Sequence, residues 1–377
     1  MTDATETETS PGNRGPVAPE AAARRRRWTL EVREYMPPLQ TAAVIGCGLL
    51  AGLFFSALML IAVGVRPADL LNEFVVSIFS SARNLRAVLE FAAPLTIVGL
   101  AAALAFKARF WNIGIEGQII FGAIGATLIA NLDVGPPGTR LLLMAAAAAL
   151  AGMAWMALPL FLRLRLGINE IISTLLLNYI AFNFLLHLLY GPWKDPVTAF
   201  PNSKIYDDPV ERLGNVGLGG VEVTSSVYLA AGLVLLGAWA LGGARFGFLL
   251  RFVYANPRMA GAIGVNVALL TALAALASGA LSGLAGFAIS AGIDSRLTQS
   301  FFVGYGFSGI LIGFLARNNP VAVVFFALLI AVLMVAGQTL QIFYQIPFAM
   351  VQLIQATIVI CVAASEFFIR HRVHRVE

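Results

Sequence analysis

The sequence predicts an all-α polytopic membrane protein of about ten transmembrane helices with a weak inverted internal repeat. Three observations carry this. Hydrophobic residues fill 59% of the 377 positions and charged ones 12%, with a mean hydropathy of +0.83; soluble domains carry about twice that share of charge. Apolar runs of about 20 residues, the length that crosses a hydrocarbon core of about 30 Å, recur along nearly the whole chain. Loops rich and poor in Lys and Arg alternate, as they do when cytoplasmic loops retain positive charge.

In chain order, residues 1–38 read as a polar, basic N-terminal segment. Its first 23 residues are rich in Ala, Pro, Thr and Glu without apolar periodicity, which predicts disorder. Arg24 to Arg27 then mark the membrane surface. No cleavable signal is expected, because Pro37 and Pro38 interrupt an amphipathic stretch where an apolar core would have to follow the arginines. Residues 39–369 form the transmembrane domain, with spans at 40–64, 86–106, 112–131, 141–162, 168–190, 224–242, 265–292, 301–316, 320–341 and 348–369. The Gly-interrupted third span and the short eighth are candidates for broken or re-entrant helices. Residues 370–377 are a short basic tail.

Starting with the N-terminus inside, the cytoplasmic segments hold 17 of the 25 Lys and Arg residues, among them Lys107, Arg109, Arg163, Arg165, Arg245, Arg251, Arg258 and Arg317. The other side holds Arg66, Arg83, Arg86, Arg140, Lys194, Lys204, Arg212 and Arg296. Both termini are therefore expected in the cytoplasm. The net charge of +5 reflects this anchoring rather than nucleic-acid binding.

Several chemistries lack their residues. Cys47 and Cys361 both fall inside spans, where a lone thiol is a small packing residue, so no disulfide framework is expected. His187 lies near the outer end of a span and His371 and His374 sit in the tail, which leaves no metal site and no Ser-His-Asp arrangement to assemble. A phosphate-binding G-x-x-x-x-G-K-[ST] loop needs a lysine after glycine, yet Lys107, Lys194 and Lys204 each follow another residue. The chain is not expected to be an enzyme or to hold a cofactor. If it works on ATP, nucleotide and Mg²⁺ belong to a partner.

A surface for such a partner is the loop 243–265, GARFGFLLRFVYANPRMAGAIGV. A short helical segment, Phe246 to Ala255, is stopped by Asn256 and Pro257, and a second short segment comes after it. The alternative is a basic amphipathic loop lying on anionic lipid.

Six stretches together resemble a known family: ALAFKARFWNIGIEGQIIFGAIGA at 103–126, LGINEIISTLLLNYIAFNFL at 166–185, GPWKDP at 191–196, FGFLLRFVYANPRMAGAIGVNV at 246–267, SGALSGLAGF at 278–287 and RLTQSFFVGYGFSGI at 296–310. The family is the permeases of bacterial ABC importers for nucleosides and simple sugars, fed by lipoprotein receptors of the basic membrane protein type, within the branched-chain amino acid and ribose-type permease superfamily. The resemblance implies a bacterial cell-membrane permease that forms half of a pore, a second permease subunit that makes a heterodimer with it (a homodimer being the alternative), a cytoplasmic ABC ATPase, an extracytoplasmic substrate-binding lipoprotein and a nucleoside substrate, with a simple sugar as the alternative. It also implies that 243–265 is the region that docks into the ATPase, with Gly247, Arg251, Asn256, Pro257, Ala260 and Gly264 matching the family pattern. Phe248 and Tyr254 depart from it, standing where relatives usually carry an acid and a glycine.

Candidate pathway residues emerge from polarity at membrane depth. Asn112, Glu116 and Gln118 open the third span, and ionisable groups there normally face a cavity or find partners. Pairing of Glu116 with Lys107 or Arg109, or capping of helix ends at the cytoplasmic rim for assembly only, is the structural alternative. In the fifth span, Asn169, Glu170, Ser173, Thr174, Asn178 and Asn183 make a polar stripe in which Ser173, Thr174 and Asn178 share much of one face. It reads either as substrate contact, with Tyr179 or Phe182 to stack on a base, or as interhelical glue. Tyr305 and Ser308 open the eighth span. Glu116-Gly117 followed by Gly122 resembles Ser308-Gly309 followed by Gly313, in spans that run oppositely, as inverted repeats do. Relatives commonly carry an acid at Ser308, so the pathway is more neutral here. The outer loop 191–223, with Trp193, Lys194, Asp195, Pro196, Lys204, Asp207 and Asp208, offers a receptor surface or a solvated lid. An ion-coupled secondary transporter would show similar polar groups without needing the 243–265 loop.

Overall fold

The computed structural model describes residues 27–33, 36–72, 76–301 and 304–376, so the disorder expected of the first 23 residues lies outside it. The elements in order are β1 (Arg27–Val32), α1 (Pro38–Ala62), α2 (Pro67–Leu71), α3 (Ser77–Ser80), α4 (Ala82–Lys107), α5 (Ile115–Asn131), α6 (Pro137–Leu166), α7 (Glu170–Tyr190), β2 (Asn215–Leu218), β3 (Val221–Thr224), α8 (Ser226–Gly242), α9 (Arg245–Ala255), α10 (Pro257–Ala262), α11 (Val267–Gly292), α12 (Tyr305–Leu315), α13 (Pro320–Tyr344), α14 (Phe348–Arg370) and β4 (His371–Val376). Each of the ten expected spans contains one apolar helix.

Those helices differ in reach. Among the described residues, α1, α4, α6, α7, α11, α13 and α14 are long and apolar enough to cross a bilayer alone, and α8 joins them if its bent continuation into α9 is counted. At 1.5 Å per residue, the 11-residue α12 covers about 16 Å, half of a hydrocarbon core of about 30 Å. The 17-residue α5 covers about 25 Å. The third and eighth spans are thus interrupted helices completed by irregular backbone, which membranes tolerate only where it is enclosed by protein.

Helix ends obey local chemistry. Proline opens α1, α2, α6, α10 and α13 at a position whose N–H has no intrahelical partner. α6 ends at Gly167 in the left-handed conformation, φ 67°, with Arg163 and Arg165 in its last turn against the negative end of the helix dipole. Asn169 then caps α7, its Oδ1 accepting from the Ile171 N–H at 2.9 Å.

α4 sits at the centre, with 78% of its most apolar window buried, whereas only 17% of that of α1 and 22% of that of α6 are buried. Leu142, Leu235 and Phe343 are more than 70% exposed on the helical surface, which marks it as lipid-facing. Five spans make each half of the chain, and the two short helices are exchanged between halves: α5 packs on α11, and α12 packs on α4. Small residues allow this closeness. Gly122 faces the backbone of Gly283, and Gly283 in turn faces Ala148 and Gly152 of α6.

β1 and β4 pair antiparallel, from Arg27 with Val376 to Val32 with His371. In the sequence these residues read as two separate tails, because strand pairing over such a separation leaves no local signal. Pairing puts the segments that precede α1 and follow α14 on one face, which requires an even number of crossings between them. Ten spans satisfy this, whereas the seven long helices alone would not. The loops carrying α9 and α10 share this terminal face, since Tyr254 borders one cavity with Thr41, Arg317 and Arg370.

On the opposite face, residues 191–224 fold back over the end of α11. Ser203 N–H donates to Leu297 O at 2.9 Å, Tyr206 N–H to Ser295 O at 2.9 Å and Leu213 N–H to Ala291 O at 2.9 Å. The hairpin β2–β3 turns through Gly219 and Gly220, whose φ values of 57° and 88° belong to a turn that glycine adopts without strain.

Candidate functional site

The starts of α5 and α12 meet. The Gly306 N–H, in the first turn of α12, donates to Glu116 Oε2, in the first turn of α5, at 2.6 Å. A Cβ at position 306 would stand 2.5 Å from the Glu116 backbone nitrogen, so the two chains touch there and only glycine fits. Glu116 is 2% exposed and pairs with neither Lys107 nor Arg109. It caps the other broken helix, where the unpaired N–H groups and the dipole favour a carboxyl group.

The start of α5 is served in the same way. Gly117 N–H donates to Asn178 Oδ1 at 2.9 Å, Asn178 Nδ2 donates to Ile113 O at 2.9 Å, and Ile113 N–H donates to Thr174 Oγ1 at 3.2 Å. The amides of Asn112 and Gln118 bond each other both ways at 3.0 Å. Asn112 adds the Ser278 hydroxyl of α11 at 3.1 Å and accepts from the Gly114 N–H at 3.1 Å. Both amides are buried and satisfied, so they hold the segment 112–118 in one arrangement. In the second half, Gln355 of α14 donates to the Ser308 hydroxyl of α12 at 2.8 Å. Asn178 and Gln355 lie on the fifth span of their respective halves, and each holds the interrupted third span of its half.

The structure therefore gathers Asn112, Glu116, Gln118 and Asn178 with the start of α12, where Tyr305 stacks on Phe91 with centroids 6.2 Å apart and Ser308 lies one turn on. Ser173 stands apart, its hydroxyl donating within its own helix to Glu170 O at 3.2 Å. Glu170 turns to Arg163 at 3.3 Å. Tyr179 is exposed, and Trp155, which lies with Asn178 against Gly117, belongs to an aromatic ladder: Phe121 stacks on Trp155 with centroids 3.7 Å apart and on Phe184 at 5.6 Å. Thr174 belongs to the polar stripe expected of the fifth span, whereas sequence reasoning missed Ser278, Gly306 and Gln355 as site residues. Ser278 sits in a small-residue stretch, and Gln355 is one of two amides, with Gln352, in an apolar span.

On the terminal face, α8 bends by 66° into α9, and α10 begins after Asn256. Asn256 Oδ1 accepts from the N–H groups of Arg258 at 3.1 Å and Met259 at 3.2 Å, and Pro257 takes the first helical position of α10. Gly247 and Ala260 are buried, because Gly247 lies against the last carbonyls of α8 and Ala260 faces the small core beneath the loop. Arg251 is exposed and leans toward Gly242 O at 3.3 Å. Phe248, Tyr254 and Met259 are exposed large side chains on the outer side of this pair.

On the opposite face, Arg140 bridges Glu211 at 2.9 Å and Asp133 at 3.0 Å, so the acidic group Asp133, Asp207 and Glu211 already surrounds a cation. Burial pushes the Tyr206 hydroxyl up to about 12, against a Thr127 contact that lowers it. The Thr198 hydroxyl and the Val197 amide hold the Asp195 carboxyl below its usual value.

The family model for the branched-chain amino acid transport system permease component matches residues 84–363. The chain belongs to that permease family. Residues 84–363 run from the start of α4 into α14 and so contain both interrupted helices and α9–α10. This permease is similar to a glucose ABC transporter permease of Haloferax volcanii, 35% identical over 333 residues, covering 86% of this chain and 87% of the relative. It is also similar to a guanosine ABC transporter permease of Bacillus subtilis, 28% identical over 322 residues and covering 84% and 91%, and to a nucleoside ABC transporter permease of Lactococcus lactis, 26% identical over 300 residues and covering 75% and 80%. It is an ABC transporter permease, a multi-pass membrane protein of the transport machinery.

Proposed function

We propose that this permease forms one half of an importer pore for nucleosides, with a second and different permease as the other half. A separate ATPase binds ATP and Mg²⁺ and docks on α9–α10, and both termini lie in the cytoplasm with it. The observation that carries the reading is the junction of α5 and α12, where the Glu116 carboxyl is taken up by a helix start and amides and hydroxyls make up the rest. Such surroundings suit a neutral substrate bearing hydroxyls. The Trp155–Phe121–Phe184 ladder beside Asn178 adds flat apolar faces for a base. Asn112, Glu116, Gln118, Ser173, Asn178, Tyr305 and Ser308 are the residues proposed to shape or hold the path.

A receptor lipoprotein is proposed on the opposite face. Val197, Phe200 and Ile205 are 88%, 66% and 51% exposed on a loop that is otherwise tied down, an apolar surface suited to a protein partner. A second reading, a simple sugar, is favoured by the glucose permease at 35% identity. The test is uptake by proteoliposomes holding the whole transporter and its receptor, comparing labelled nucleosides with glucose and ribose. Uptake of sugars alone overturns the nucleoside reading, and uptake without ATP overturns the ABC mechanism in favour of an ion-coupled carrier.

A further inference from the structure

Arg109 lies in the connection between α4 and the interrupted helix α5. Its Nε donates to Tyr254 O at 2.8 Å and its Nη2 to Ala255 O at 3.0 Å. These are the last two residues of α9, whose final carbonyls lack intrahelical donors and carry the negative end of the helix dipole. A planar guanidinium meets two such carbonyls with a rigid fork of donors, whereas a lysine offers a compact charge on a flexible stem that holds neither partner in a fixed orientation. Arg109 itself is left-handed, φ 55°, a conformation that a residue with a Cβ holds only when its surroundings fix it.

The segment from Phe110 to Asn112 is stiff. Phe110 is 1% exposed and packs with Met156, Leu160 and Ala275. The Asn112 N–H donates back to Phe110 O at 3.1 Å, and the Asn112 side chain is bound to Gln118 and Ser278. Asn112, three residues and at most about 10 Å of chain from Arg109, thus ties the clamp on α9 to the network that holds the start of α5, and Glu116 follows four residues later. Beside this segment lies a cavity of about 680 Å³, lined by Trp111, Tyr254 and Phe314 among others, which leaves room for it to move.

We infer that Arg109 is a positioning residue that transmits displacement of α9 to the junction of Glu116 and Gly306, so that motion of a docked ATPase changes how the two interrupted helices meet. The inference rests on the reading of α9–α10 as the docking surface. It is tested in the complete transporter with Arg109→Ala and Arg109→Lys, measuring ATPase co-purification, ATP hydrolysis with and without loaded receptor, and uptake per ATP. Arg109→Ala is expected to keep the ATPase bound while uptake per ATP falls at least tenfold, with Arg109→Lys in between. An unchanged ratio in an assembled complex overturns the inference and leaves the docking reading intact. Loss of the ATPase from the Arg109→Ala complex also overturns it, by making Arg109 part of the docking surface. Should Arg109→Ala fail to fold, an Arg109→Lys transporter with wild-type coupling is the result that decides against it. The docking reading fails separately if Phe248→Asp with Met259→Asp leaves ATPase binding unaffected.

Discussion

Glu116 and the Gly306 amide that it accepts from are 190 residues apart, and the carboxyl group is the only side chain in the first turn of α5 placed to serve the start of α12. Replacing it by alanine strips an acceptor from buried N–H groups, which costs about 1–3 kcal/mol for the unsatisfied donor. Glutamine retains an oxygen acceptor but puts an NH2 group, whose donors need partners of their own, into the buried junction. Melting of the purified permease in detergent should therefore rank wild type above Glu116→Gln and Glu116→Gln above Glu116→Ala; equal melting of all three removes the capping role. The residue was legible from sequence because a carboxyl at membrane depth stands out. Its partner was not, because a backbone amide carries no residue identity and any Gly-rich helix start offers one.

The seam of α5, α6 and α11 shows what the small residues of 278–287 are for. A methyl group on Gly283 would run into the Ala148 carbonyl and the Gly152 backbone, so Gly283→Ala is expected to destabilise the permease by about 1–3 kcal/mol through overpacking. Gly232 on α8 has open space around it, and Gly232→Ala should hold or slightly raise the melting temperature, since alanine is the better helix former. Equal effects at the two positions would mean that the three helices do not approach to backbone contact. Glycine spacing announced close packing in the sequence, yet it could not say which helices approach. That choice arose from the exchange of short helices between halves, which depends on the crossing pattern of the whole bundle. The pair α9 and α10 was legible for a different reason: Asn256 and Pro257 act locally, as cap and first helical residue, whatever surrounds them.

Topology belongs to the molecule as a whole, and here the charge bias and the strand pairing of the termini agree on an even number of crossings. With Cys47 and Cys361 replaced, a membrane-impermeant maleimide applied to intact cells should label Val197→Cys and spare Arg258→Cys until the cells are opened. The reverse pattern would invert the proposed orientation and place α9–α10 away from any cytoplasmic ATPase.

By itself the sequence determined the class, the ten spans, the sidedness expected of the loops and the two short helices of 243–265. Each of these arises from local composition, periodicity or capping within about 25 residues. Only the tertiary structure decided that Glu116 caps a distant helix, that Asn178 and Gln355 serve matching places in the two halves, and that Arg109 clamps α9. In a lipid environment every interrupted helix must have its backbone donors met from inside the protein. The residues that meet them are chosen by which helices lie adjacent, and that adjacency joins positions from about 60 to 190 residues apart.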